Sequence, residues 1–342
     1  MTDSRWLALA LTPGVGPRRL LRVLSAGDPE PHTVARVLGP ELAAAYQQVH
    51  AAGEAKRLIA AAEAQGARVT GPWDPAYPPG LRHLADPPAP LFLKGKVPAW
   101  ERAVAVVGTR AASPWAARWA RELGRVLAEA GVAVISGLAR GIDAAAHKGA
   151  LAAGGVSVAV LGSALDKIYP PEHAGLAEES VLVSEFSFGT GPRPEHFPRR
   201  NRVIAALARA VVVVEAPARS GALITARYAL ELGREVMAVP GRPTDSKSRG
   251  PNRLIQDGAP PVLEPADVLS ALGIAPQKVP PEPALSGELE RLYTALRERG
   301  EALPDDLAAE LGLSASELLA RLTELELLGL AEGLPGGRYQ AL

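Results

Sequence analysis

An α/β fold, a mostly parallel sheet covered by helices on both faces, is what residues 103–262 predict, and two observations predict it. Apolar runs of strand length alternate with amphipathic segments of helical spacing, and four times over such a run breaks at a turn loaded with Gly, Ser or Arg. Strands buried on both faces read as continuous apolar runs, and parallel neighbours need helical crossovers between them. Ligands of such sheets sit outside the carboxyl ends of the strands.

The first unit is the clearest. Ala103-Val104-Ala105-Val106-Val107 reads as a buried strand and breaks at Gly108-Thr109-Arg110. Ser113 is a good N-cap and Pro114 suits the first helical position. Trp119, Leu123, Val126, Leu127 and Ala130 then keep helical spacing until Gly131. In the second unit Val132 to Ile135 is the strand, Ser136-Gly137-Leu138-Ala139-Arg140-Gly141 the turn, and Ile142 to Leu151 the helix. A third strand, Val156 to Leu161, ends in Gly162-Ser163. The fourth, Val211 to Val214, runs into Glu215, after which Ser220-Gly221-Ala222 opens a helix ending near Gly233. Glu235 to Val239 is a further strand.

Helix N-termini carry unpaired N–H groups and the positive end of the helix dipole, so several of them at one sheet edge form an anion site. Arg110, Arg140 and Lys167 add formal charge there. The plainer alternative is that each glycine only permits a tight turn. No turn matches a Walker loop or the spaced Gly-x-Gly-x-x-Gly fingerprint, so no nucleotide cofactor is expected. Within the string His196-Phe197-Pro198-Arg199-Arg200-Asn201-Arg202, a π-face lies beside three cations, the pairing that a single strand needs for its bases and phosphates. Either Phe197 stacks on bases, or it is a core residue with arginines covering a helix start.

The flanking segments are helical. Leu7 to Leu21, with its Gly14-Val15-Gly16 turn and Arg18-Arg19, reads as a helix-hairpin-helix that could approach a phosphate, or as a simple turn in a small bundle completed by helices around Pro40 to Val49 and Gly53 to Gln65. At the other end, helices over Glu288 to Arg299, Pro304 to Leu311 and Ala315 to Leu328, followed by a turn at Pro335-Gly336-Gly337, form a winged-helix pattern. The expected domains are residues 1–66, 67–272 and 288–342, with a Pro- and Ala-rich linker over 273–287. Charge separates them: residues 103–262 hold 19 Lys and Arg against 14 Asp and Glu, whereas residues 288–342 hold 5 against 11. The sheet domain suits a polyanion. The recognition helix of the wing domain, with Glu317, Glu324 and Glu326 against Arg321, suits a protein partner better than a duplex.

Val107-Gly108-Thr109-Arg110, Ser136 to Asp143 with His147, Tyr169-Pro170, Ser184-Glu185-Phe186, Phe197 to Arg202, and Ser220-Gly221-Ala222-Leu223-Ile224-Thr225 together resemble the motif series of the DNA-processing protein A (DprA/Smf) family. The resemblance extends from Tyr77-Pro78 and Phe92-Leu93-Lys94-Gly95 to Gly250 through Ala259. It implies a Rossmann-like sheet domain behind a sterile-alpha-motif-like helical domain. It also implies a cytoplasmic bacterial protein, not an enzyme, that binds single-stranded DNA without sequence preference, protects it and loads RecA in natural transformation, as a homodimer built through the sheet domain. The expected contacts are Gly108, Thr109, Arg110, Ser136, Gly137, Arg140, Lys167, Arg193, His196, Phe197, Arg199, Asn201, Arg202, Ser220 and Gly221. Where the family carries a basic residue just before the Phe, this chain has Pro194, with Arg193 adjacent.

Other classes fare worse. Cysteine is absent, so disulfides and thiolate chemistry are excluded. Asp143 and His147 lie four apart on one helix without a third metal ligand. No apolar run is long enough for a bilayer, and Met1 to Ala10 lacks a basic start, so a cytoplasmic location is expected. A phosphoribohydrolase-like enzyme of the same sheet class is the rival reading. It would need a glutamate directly after the Gly-rich loop, and here no acid follows Ser220 until Glu231.

Overall fold

The computed structural model describes residues 3–274, 285, 287–328, 330–334 and 336–341. The chain divides into two compact units, Met1–Pro276 and Gln277–Leu342. Most of the expected linker over 273–287 lies outside the described residues.

In the first unit five helices lead: α1 (Ser4–Leu11), α2 (Pro17–Ala26), α3 (Pro31–Leu38), α4 (Pro40–Ala51) and α5 (Glu54–Glu63). Proline opens α2, α3 and α4, where its missing N–H costs nothing. Trp6, Leu7, Leu9, Leu20 and Tyr46 join Phe92, Ala159, Leu161 and Leu182 of the sheet region in one hydrophobic cluster. The helical region is therefore part of the sheet's core, with Trp6 stacked on Trp73 at 6.0 Å.

Eight strands form the sheet: β1 (Ala67–Thr70), β2 (Leu91–Lys94), β3 (Ala103–Val107), β4 (Ala133–Ser136), β5 (Ser157–Val160), β6 (Val181–Ser184), β7 (Ala210–Val213) and β8 (Glu235–Ala238). Their spatial order is β1-β2-β6-β5-β4-β3-β7-β8, with β3 to β8 mutually parallel and β1 and β2 added antiparallel at one edge. The strands expected in the parallel part are all present, within one or two residues of their expected ends. β1, β2 and β6 were not expected.

The connecting helices are α6 (Pro114–Glu129), α7 (Ile142–Ala152), α8 (Ala174–Glu179), α9 (His196–Leu207), α10 (Gly221–Glu231), α11 (Arg249–Gln256) and α12 (Pro265–Ala271). Alternation of side chains along a strand splits the core in two. Val104, Val106, Val134 and Val212 face α6, α7 and α12, while Ala105, Val107, Ile135 and Val211 face α9 and α10. Helices α6 and α7 approach closely because glycine stands at the contact. A Cβ on Gly124 would lie 2.3 Å from the carbonyl oxygen of Ala146, and one on Gly149 would lie 1.8 Å from that of Arg121.

The second unit contains α13 (Glu288–Arg299), α14 (Pro304–Leu311), α15 (Ala315–Leu327) and the antiparallel pair β9 (Ala331–Leu334) and β10 (Arg338–Ala341). Ala302 bridges to Tyr339 and extends the wing. Leu292, Leu296, Leu307, Leu318, Leu322 and Leu325 form its own core. Ser314 and Glu317 build a reciprocal capping box at the start of α15. This is a winged helix, with Leu319, Leu327 and Glu317 on the exposed side of α15.

Candidate nucleic-acid interface

From β3 the parallel strands run outward in both directions, β4 to β6 on one side and β7 and β8 on the other. The loops leaving the carboxyl ends of β3 and β7 therefore diverge, and a crevice opens at this reversal of strand order. A cleft of about 370 Å³ lies there, lined by Thr109, Arg110, Phe197, Arg219, Ser220 and Gly221 among others.

Each wall of the cleft is fixed by backbone accounting. After β3, the Thr109 N–H donates to the carbonyl of Glu215 at 2.6 Å. The buried Glu215 carboxylate accepts the Ser113 N–H and hydroxyl at 2.9 and 2.7 Å. Gly108 is required at this crossing, since a Cβ would come within 2.5 Å of Ile142. After β4, the N–H groups of Gly137 and Ala139 turn inward onto the Asp143 carboxylate, and Leu138 adopts φ +57° between them. After β7, Ser220 caps α10, its hydroxyl accepting from the Ala222 N–H at 3.3 Å.

The basic-aromatic string is the first two turns of α9, and helical geometry sorts its cations. Arg200 points inward beneath the cleft. Its Nη1 donates to the carbonyls of Gly137 at 2.6 Å and Val160 at 2.5 Å, which ties the ends of β4 and β5 together. Burial lowers its pKa to about 10, partly offset by Asp143, so it stays cationic at neutral pH. Burial likewise raises the Asp143 pKa, against the pull of Arg200. Below them His147 is pushed down to about 3 by burial, with Nδ1 2.7 Å from the Ser157 hydroxyl.

Arg202 is also internal. Only 6% of its side chain is exposed; it donates to Glu185 at 2.6 Å and to the Asp86 carbonyl at 2.9 Å. Arg199 shares the same Glu185 oxygen at 2.9 Å, yet its side chain remains exposed. Arg202, expected to hold phosphate, is thus engaged by a buried carboxylate within the protein. Ser136 and Gly137 are also engaged internally, the Ser136 hydroxyl donating to the Val106 carbonyl at 2.6 Å and the Gly137 amide to Asp143 at 3.1 Å. Asn201 is buried, bridging α9 to α10 through the Gly221 carbonyl at 3.1 Å.

Arg110 is different. It is exposed, and among the described residues no carboxylate pairs with it. Its guanidinium lies 4.8 Å from the centre of the Phe197 ring. The same ring packs against Gly162, where a Cβ would approach Cδ1 to 2.8 Å. His196 stacks on Phe186 at 4.2 Å. Arg193 is exposed, Lys167 stands 4.0 Å from Asp166, and Arg140 pairs with Glu172 at 2.5 Å. The cleft thus gathers Gly108, Thr109, Arg110, Phe197, Ser220 and Gly221. Lys167 and Arg193 lie outside its lining, whereas Arg140 lines an adjoining slot with Tyr169. Sequence reasoning overlooked Arg219 on the rim, although a basic residue just before a helix cap was a signal available to it.

The comparisons with known proteins agree with this architecture. The family model of DNA recombination-mediator protein A matches residues 68–273, and that of the DprA winged helix domain matches residues 275–337. The Smf protein of Escherichia coli is 43% identical over 276 residues, covering 76% of this chain and 74% of that protein. The Smf protein of Synechocystis is 36% identical, covering 79% of each. The crystal structure of DNA processing protein A from Streptococcus pneumoniae superposes with a TM-score of 0.69 at 34% identity, covering 79% of this chain and 98% of that one. A Helicobacter pylori structure described as showing a single-stranded DNA binding mode gives 0.54 at 27% identity, covering 60% and 95%. With its sheet region and its winged helix both matched, the chain belongs to the DNA recombination-mediator protein A family, the DprA/Smf proteins.

Proposed function

We propose that this protein binds single-stranded DNA without sequence preference in the cleft between β3 and β7, protects it and hands it to RecA during recombination or natural transformation. The observation that carries the reading is the pair Arg110 and Phe197. It sets a cation without a carboxylate partner and a π-face together on a rim that also bears the N-terminus of α10. Phosphates need the first and bases the second. The H. pylori relative, described as binding single-stranded DNA, supports it. As that family's members do by resemblance, this chain would act in the cytoplasm as a homodimer. Among the described residues no helix is long and apolar enough to cross a membrane.

A non-enzymatic role fits the carboxylates at the cleft. Asp143 and Glu215 are buried and already accept backbone N–H groups, so neither is presented to a reacting atom. The test is fluorescence anisotropy with labelled oligo-dT and a duplex of matched length across a salt series. Salt-sensitive preference for the single strand supports the reading; equal or absent binding overturns it.

A further inference from the structure

We propose that Tyr169 is a second base-stacking platform, forming with Phe197 a two-step aromatic track beside the cleft; this rests on the single-strand reading above. Tyr169 follows β5 and is 40% exposed; among the described residues of this aromatic-poor chain, it and Trp115 are the only exposed aromatic side chains. Its ring centre lies 5.8 Å from that of Phe197, tilted by 45°. A slot between the two rings is lined by Arg110, Arg140 and Pro170.

The ring is held there by its neighbours. Glu172 binds Arg140 at 2.5 Å, and His173 Nδ1 lies 2.8 Å from the Leu138 carbonyl. The segment after Tyr169 is thus tied twice to the loop after β4, the same loop that Arg200 pins from beneath. An exposed aromatic ring costs apolar hydration and gains nothing from the core. Phe197, by contrast, is half-buried and has the Arg110 guanidinium 4.8 Å from its ring centre. Of the two rings, Tyr169 is the more exposed.

The spacing also suits one kind of nucleic acid. Stacked nucleotides rise ~3.4 Å along a strand, whereas the ring centres are 5.8 Å apart. Neighbouring bases occupying both rings must be drawn apart, which a single strand allows and a paired, stacked duplex resists. Arg110 and Arg140, which both line the slot, would meet the flanking phosphates.

The experiment compares wild type, Tyr169→Ala and Tyr169→Phe in the full chain, against oligo-dT and against an abasic strand of the same length and charge. A stacked base is worth ~1–3 kcal/mol, so Tyr169→Ala should bind oligo-dT at least about five-fold more weakly. Its affinity for the abasic strand should not change, and Tyr169→Phe should restore oligo-dT binding. The proposal is overturned if Tyr169→Ala matches wild type on oligo-dT, or if it loses as much on the abasic strand. Wild type failing to bind oligo-dT at all would instead overturn the single-strand reading itself.

Discussion

The Arg110 guanidinium lies over the Phe197 ring, 4.8 Å from its centre, and Gly162 packs so closely that an added Cβ would stand 2.8 Å from the ring's Cδ1. A base that stacks on the face Arg110 covers must displace the guanidinium or stack on it. Arg110→Ala should therefore remove one phosphate contact and flatten the slope of log affinity against log salt by about 0.7. Phe197→Ala should weaken binding while leaving the slope in place, since a ring contributes no charge. Anisotropy titrations at several salt concentrations separate the two. Identical slopes for wild type and Arg110→Ala would remove Arg110 from the interface.

Gly162 packs against the same ring. An added Cβ would meet Phe197 Cδ1 at 2.8 Å and Cε1 at 3.0 Å, so Gly162→Ala must displace the ring. Overpacking of this kind costs roughly 1–3 kcal/mol. The variant should melt earlier and bind single strands less tightly; unchanged affinity with lowered stability would show that the ring's position is immaterial to binding.

How much of this was legible in the sequence follows from what each residue had to signal. β3, β4, β5 and β8 showed themselves as apolar runs closed at or beside a Gly or Pro, and β7 as an apolar run that ends at Glu215. β2 and β6 each carry only three consecutive apolar residues, against four or more in the runs that were legible, and β1 carries a polar alternate. At the site, composition could count three arginines in the string but could not say where each pointed. Arg200 shares a helical stripe with Ile204 and Leu207, both buried, and that spacing was the available sign that it turns inward. Arg202 gave no such local sign, because its partners Glu185 and Asp86 are distant in sequence. Tyr169 was visible as part of a motif, but its nearness to Phe197 comes only from the sheet order that sets β5 beside β4.

Arg200 holds two strand ends with one guanidinium, so its loss is structural as much as functional. Arg200→Leu would leave the buried Gly137 and Val160 carbonyls without their donor and remove the charge that favours the ionised Asp143. Each buried acceptor left unsatisfied costs about 1–3 kcal/mol. Arg200→Lys should recover only part of the loss, because an ammonium that reached both carbonyls would still lack the Nε donor to Asn201 Oδ1. Denaturant unfolding of both variants is the check, and a lysine variant as stable as wild type would contradict the clamp.

Glycines divide into those that let backbones touch and those that do not. Gly149→Ala would place a Cβ 1.8 Å from the Arg121 carbonyl oxygen, a backbone atom that cannot swing aside, and should destabilise the protein by forcing α6 and α7 apart. Gly175 lies inside α8, where nothing stands within 4 Å of the added carbon and φ is not positive. Gly175→Ala should stabilise by roughly 0.5–1 kcal/mol through helix propensity alone. Thermal melts with opposite shifts for the two variants are expected; a neutral Gly149→Ala would mean that the helix contact yields easily.

His147 makes acid stability a test of the buried layer. Its folded pKa is about 3, depressed by burial, while an unfolded histidine titrates near 6.5. Between those values the unfolded chain binds the extra proton and the native state does not, so stability falls as pH drops from about 6.5 toward 3. At most about 1.4 kcal/mol is lost per pH unit to this one group. Asp143 and Glu185 are both raised by burial and act in the opposite sense over the pH range just above the ordinary carboxylate values, where the native state holds protons that the unfolded chain releases. The histidine contribution is therefore read by difference. His147→Gln keeps a polar group facing the Ser157 hydroxyl and cannot titrate, so its unfolding free energy should fall less steeply than wild type between pH 6.5 and 4.5. Parallel curves for the two proteins would mean that His147 takes up its proton within the native fold.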